Sequence, residues 1–184
     1  MLILKIILYF CIRQPEKSPI HLPIMPSQLN LPPYEIRVKE EHGRHQIFDF
    51  LRRRYVTLTP EEWVRQHFVH FLVAYKGYPK GLLGNEIELR VGEKKLRCDT
   101  LLYNKELQPQ MIIEYKAPHI ELTQQVFDQI SAYNMLLHVD FLIVSNGLQH
   151  YCCRMDYANH RYLFLREIPD YESLNDSNRS VLYD

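Results

Sequence analysis

Residues 112–118 read IIEYKAP, and the way this stretch is read decides the fold. Met111, Ile112 and Ile113 have the character of a buried strand, yet Glu114 and Lys116 follow them, and such residues rarely go inside unpaired. Side chains two apart on a strand share a face, so the carboxylate and the ammonium stand side by side with Tyr115 turned the other way. Either this is an ordinary ion pair at a strand end or it is part of a site. Ala117-Pro118 then stops the strand.

Two further strands are expected just upstream. LGNEIELRV (83–91) alternates Ile87, Leu89 and Val91 against Glu86, Glu88 and Arg90, and KLRCDTLLY (95–103) follows across the turn VGEK. NKELQP joins the second strand to QMIIEYK (110–116), and such short links make the three an antiparallel meander. Before them, Thr59-Pro60-Glu61-Glu62 is a helix start: threonine at the N-cap, proline at the first helical position, and glutamate three after the cap as in a capping box. That helix runs through WVRQHFVHFLVAY, offers Trp63, Phe68, Phe71, Leu72 and Tyr75 as an apolar face, and ends at Gly77-Tyr78-Pro79. After the meander, Thr123 can cap the helix TQQVFDQISAYNMLLH, with Val126, Ile130, Tyr133 and Leu137 on one stripe. FLIVSN (141–146) is a continuous apolar run, as expected of a strand buried on both faces and lying parallel to a neighbour after a crossover helix. Asn146-Gly147 turns into a last strand, LQHYCCRM.

The chain thus reads as one α/β domain with a mixed central sheet, in the order helix, three antiparallel strands, helix, parallel strand. YEIRVKEE, HQIF and RRYVTL supply a β-rich N-terminal appendage over 25–58, the core covers 59–170, and 171–184 form a polar tail. MLILKIILYFCI at the start resembles a weak signal peptide, but it lacks a charged n-region and a small-residue cleavage site and is too short to span a bilayer. Ordinary domain sequence begins at Met25, so residues 1–24 are expected to be an upstream extension that packs poorly on the domain.

At 184 residues with 46% apolar content the chain can bury a core. Lys plus Arg and Asp plus Glu balance at 22 each, so any nucleic-acid footprint must be local. Cysteines 11, 98, 152 and 153 form no CxxC pair or zinc spacing, which favours free thiols in a reducing, cytoplasmic setting. There is no internal repeat, membrane span or glycine-rich phosphate loop.

The chemistry-bearing residues lie on the last two meander strands. Asp99 in RCDTLLY can meet Glu114 and Lys116 at a shared sheet edge. Two carboxylates a few ångströms apart repel unless one is protonated or a cation sits between them, and Mg²⁺ with oxygen ligands and retained waters is the natural occupant. Such an ion lowers the pKa of a water, and Lys116 could orient that water or stabilise charge on a phosphate. This suits metal-assisted phosphodiester hydrolysis.

Asp99, fourteen residues and then Glu114-Tyr115-Lys116 resemble the PD-(D/E)XK nuclease signature, and Gln129-Ile-Ser-Ala-Tyr133 looks like the QxxxY element of some of its branches. RCDTLLY, IIEYKAP, QISAYN and IVSNG together are similar to the N-terminal nuclease domain of type I restriction enzyme R subunits, over roughly residues 30–168. The resemblance implies a restriction-endonuclease-like fold and a Mg²⁺-dependent deoxyribonuclease, with Mn²⁺ as a substitute ion. It implies Asp99, Glu114 and the Tyr115 backbone carbonyl as metal ligands, Lys116 as the catalytic lysine, and Gln129 and Tyr133 near the DNA backbone. Cys98 stands where the signature has proline, and the sequence has no room for a helicase motor, so a stand-alone nuclease is expected. Other subunits of a restriction or defence system are expected partners, and two-strand cleavage by one site per chain would suit a homodimer.

Plainer readings stand beside these. An ExK triplet alone is a same-face ion pair of small worth. Glu62 is a capping-box residue first and a further candidate metal ligand second; Glu86 and Glu88 point to the polar face of their strand and are expected to be solvated, with Glu86 as a reserve ligand. His67 and His70 could bind metal at i, i+3 but lack a third ligand, and His119 is a loop histidine. Arg52, Arg53 and Arg54, with Arg37, Lys39 and Arg44, form a solvated face or, in a nuclease, a phosphate-binding patch. A non-catalytic nucleic-acid-binding or complex-forming subunit with the same fold is the alternative function.

Overall fold

Thr59 starts the first helix among the described residues: its Oγ1 accepts the Glu62 backbone N–H at 3.0 Å, and Pro60 occupies a position whose N–H has no helical partner. The structure, a computed structural model, describes residues 28–91 and 94–175. Three short strands precede that helix, β1 (Val38–Glu41), β2 (Arg44–Asp49) and β3 (Arg54–Thr57), paired antiparallel in the order β1-β2-β3. Helix α1 (Pro60–Tyr75) leads into β4 (Leu83–Val91), β5 (Lys94–Tyr103) and β6 (Pro109–Tyr115), then α2 (Gln124–Leu137), β7 (Phe141–Ser145), β8 (His150–Asp156) and β9 (Arg161–Leu165). The larger sheet has the order β4-β5-β6-β7-β8-β9. Only β6 and β7 run parallel among its pairs, with Ile113 beside Ile143 and Tyr115 beside Ser145.

Alternation along the central strands creates two cores. Leu102, Ile113, Tyr115 and Ile143 pack with Val64, Phe68 and Leu72 of α1, whereas Leu101, Ile112, Leu142 and Val144 pack with Phe127 and Ile130 of α2. Neighbouring residues on one strand fall in opposite clusters, so the helices cover opposite faces of the sheet. This explains why β6 and β7 lack a polar face: every residue of β7 is buried, and so is every residue of β6 after Pro109.

Two elements depart from the sequence reading. Arg161–Leu165 add an edge strand, β9, beyond the expected LQHYCCRM. Tyr171–Asn175, assigned to a polar tail, form a 3-10 turn in which Leu174 is buried and the Tyr171 ring lies 5.8 Å from Tyr78. The apolar anchors outweigh the polar residues around them. The expected extension over 1–24 and the rest of the tail, 176–184, lie outside the described residues.

Candidate active site at the end of the β5–β6 ladder

The ladder between β5 and β6 runs from Leu102↔Met111 to Thr100↔Ile113, which places Asp99 opposite Glu114 one step further on. No backbone pair forms there. Instead the Tyr115 N–H donates to Asp99 Oδ2 at 2.9 Å, so the carboxylate occupies the gap where the strands part. On the other side, Lys116 N–H still donates to Ser145 O at 2.9 Å, and β7 holds the end of β6 in place. Lys116 Nζ lies 3.0 Å from Glu114 Oε1. The expected pairing of Glu114 with Lys116 is therefore present, with Asp99 at the adjoining register position.

Glu114 is buried, and its carboxyl is held above the usual range, first by burial and then by the Asp99 charge, against the lowering influence of Lys116 and Arg65. Cys98 reports the same field: burial, then Glu114 and Asp99, push its thiol up to about 11. Burial and the repulsion between Glu114 and Asp99 are thus only partly offset by Lys116 and Arg65 at the end of this strand.

The sequence reading missed Arg65. This residue of α1 is 5% exposed and reaches three carboxylates: Nη1 lies 2.7 Å from Glu62 Oε2 and 2.5 Å from Glu86 Oε1, and Nη2 lies 2.9 Å from Asp99 Oδ1. The register Asn85↔Thr100 and Ile87↔Cys98 brackets Glu86 opposite Asp99, so Glu86, Asp99 and Glu114 fall in one row across β4, β5 and β6. Glu86 has a backbone φ of 56°, a conformation costly for a non-glycine residue, and also pairs with Arg97. The only sequence signal for Arg65 is its i, i+3 spacing from Glu62, which ordinarily marks a surface pair.

Glu62 does not complete the capping box. Its carboxylate turns instead to Arg65 and to Gln66, whose Nε2 donates to Oε1 at 2.7 Å. Gln66 Oε1 in turn accepts the Phe50 N–H at 2.9 Å, tying the three-stranded sheet to α1. Asp49 is fully buried beside it, accepting from Arg52 Nε at 2.6 Å, from the Leu51 and Arg52 N–H groups, and from Asn85 Nδ2 at 3.1 Å. Burial pushes the Asp49 carboxyl up, but these hydrogen bonds from Arg52 and Asn85 outweigh it and hold the carboxyl below its usual range.

The arginine run is therefore divided. Arg52 belongs to this network, with Nη2 3.8 Å from Glu62, and is not part of a solvated face. Arg53 and Arg54 are exposed, and Arg53 joins Arg37, Tyr34, Phe48 and Phe50 around a cleft of about 400 Å³. His67 and His70 are packing residues: His67 Nδ1 contacts Trp63 O at 2.8 Å, and His70 stacks on Tyr34. Glu88 and His119 are exposed. Gln129 and Tyr133 lie on α2, and their side chains are outside the described ones.

Among the described residues, no three His, Cys, Asp or Glu side chains gather as a ready cation cage. The carboxylates of Asp99 and Glu114, at opposed register positions, are the hard oxygen donors that a divalent ion keeping several waters takes. The raised proton affinity of Glu114 beside Asp99 is the electrostatic signature of a place where a cation would be stabilised. No helix among the described residues is long and apolar enough to cross a membrane.

The family model described as type I restriction enzyme R protein N terminus (HSDR_N) matches residues 60–169. That segment runs from the first residue of α1 past β9 and contains Glu62, Arg65, Glu86, Asp99, Glu114 and Lys116; the three-stranded sheet lies before it. Comparison with curated proteins gives no match. The chain belongs to the type I restriction enzyme R protein N-terminal family.

Proposed function

We propose that this member of the family is a Mg²⁺-dependent nuclease of the restriction-endonuclease-like fold, hydrolysing phosphodiester bonds of DNA. The observation that carries the reading is the convergence of Asp99, Glu114 and Lys116 at the end of one ladder, within the segment the family model matches. Asp99, Glu114 and the Tyr115 carbonyl would hold the ion, which when bound supplies Lewis acidity at the phosphate and lowers the pKa of a water.

The remaining steps belong to the chain itself. Tyr115 N–H fixes one Asp99 oxygen and Arg65 the other, so the carboxylate cannot rotate away from the strand end. Glu114 keeps Lys116 Nζ at the site, where it can donate to a phosphate oxygen as negative charge develops. The exposed Arg53 and Arg54, with Gln129 and Tyr133 on α2, are proposed to position the DNA backbone, a task for basic and polar groups that carries no sequence information.

Cleavage of plasmid and single-stranded DNA in Mg²⁺ or Mn²⁺ tests the proposal. Wild type is expected to cut, and Lys116→Ala to lose about 10²-fold or more. Unchanged activity in Lys116→Ala refutes the mechanism. No cleavage of any substrate by either protein would instead indicate a non-catalytic, complex-forming subunit.

A further inference from the structure

We propose that the Arg65 guanidinium fills a second cation position beside the nuclease centre and so limits the centre to one metal ion. The second half of this statement rests on the function proposed above. Glu62 comes from α1, Glu86 from β4 and Asp99 from β5, and all three direct a carboxylate oxygen to within 2.5–2.9 Å of one guanidinium. Oxygen donors converging from separate elements are how proteins build sites for hard cations. Here the cation is covalently part of the chain.

Two features argue against an incidental salt bridge. Arg65 is nearly inaccessible and its Nε has no hydrogen-bond partner, so the chain buries a charged group at a desolvation cost that hydrophobic residues of similar size would avoid. Glu86 also adopts its left-handed backbone conformation opposite Asp99, a strained geometry where it supplies an oxygen to the same guanidinium.

Asp99 is the shared group. Its Oδ1 is held by Arg65, while the opposed register position belongs to Glu114. In two-metal hydrolases a pair of ions about 3.5–4 Å apart clamps the reacting phosphate. With Arg65 in place the second positive charge is permanent and cannot exchange with solvent. Arg65 is accordingly a positioning residue: it orients Asp99 and contributes charge without itself accepting ligands.

Mn²⁺ titration of the full chain, by calorimetry and by loss of the free-ion paramagnetic resonance signal, tests this without any activity measurement. Wild type is expected to bind one equivalent, Arg65→Gln two, and Arg65→Lys, which restores a positive charge, one. A folded Arg65→Gln that binds the wild-type number with wild-type affinity overturns the proposal, and so does wild type binding two. Should wild type bind none and Arg65→Gln one, Arg65 still fills a cation site while the metal reading of Asp99 and Glu114 fails. If Arg65→Gln folds only with Mn²⁺ present, as judged by circular dichroism, the added ion has replaced the guanidinium and the proposal stands. If it folds under neither condition, Glu86→Gln decides. Retained stoichiometry with affinity within about threefold supports the proposal, because a charge held by Arg65 and Arg97 is largely screened from the ion. Loss of an equivalent means that Glu86 ligates the wild-type ion, which overturns it.

Discussion

Replacing Glu114 with glutamine should stabilise the metal-free protein. Glu114 is buried opposite Asp99, and its carboxyl titrates above its usual value of 4.5 even with Lys116 3.0 Å away, so the folded state disfavours the charged form on balance. A carboxyl raised on folding destabilises fully above its folded pKa, progressively less as pH falls toward the unfolded value, and not at all below that. At neutral pH in a chelator, Glu114→Gln removes that liability while keeping the shape, a gain of about 0.5–2 kcal/mol, the range typical of relieving strain at a functional site. For a domain of this size that raises the melting temperature by roughly 1–8 °C. Mg²⁺ should reverse the order, because an ion at roughly 100 times its Kd adds about 2.7 kcal/mol to wild type and little to a variant lacking a ligand. Circular-dichroism melts of both proteins at pH 7, with and without Mg²⁺, give the comparison, and a series toward pH 4.5 in chelator should close the gap between them. A variant that melts below wild type in chelator, or equal Mg²⁺ shifts in both proteins, would refute this reasoning.

Asp49→Ala should behave in the opposite way: it strands the buried Asn85 amide and the Arg52 guanidinium, a loss of about 3–5 kcal/mol in urea unfolding at pH 7. Because its folded pKa is depressed, this contribution is complete above the unfolded value of 3.8 and vanishes as pH falls through the folded one, so a penalty undiminished in strong acid would contradict the assignment. Gly147→Ala should cost about 1–3 kcal/mol, since the glycine has φ +82° and an added Cβ would meet Leu29 Cδ2 at 2.6 Å and Val64 Cγ2 at 3.1 Å. A thermal melt unchanged from wild type would show that Leu29 simply moves aside.

The central strands were legible because their signals are local. Alternation in LGNEIELRV, short links and the unbroken apolar run FLIVS each follow from residues a few positions apart, and β4, β5 and β7 form where those signals lie. β9 was not legible: of its five residues only Leu165 is buried, so an edge strand with one anchored side chain leaves no period to detect. The same holds for Tyr171–Asn175, fixed by Leu174 amid polar neighbours. In the site, Asp99, Glu114 and Lys116 were readable as a spacing, whereas Arg65 was not. Its Asp99 partner is 34 residues away and its burial depends on the packing of α1 against the sheet, so an i, i+3 neighbour of Glu62 has the sequence appearance of a surface residue. Arg52 misled for a related reason: within RRR it suggests a solvated face until Asp49, three residues earlier, draws it inward.

Asp49 and Glu114 together show why the site lies where it does. Both are buried acids in one domain, and they titrate in opposite directions. Asp49 is surrounded by donors from β2's own turn, Arg52 and Asn85, and Asn85 passes the order on by accepting the Thr100 hydroxyl at 2.7 Å, so the charge is compensated and fixes where β4 and β5 meet. Glu114 faces another carboxylate, which Lys116 and Arg65 offset only in part. A sequence selected only to fold would satisfy both or bury neither. The compensated acid acts as a post for the sheet next to α1. Charge that the fold neutralises is structural here, and the repulsion it leaves between Glu114 and Asp99 is what the proposed ion at the end of IIEYK would relieve.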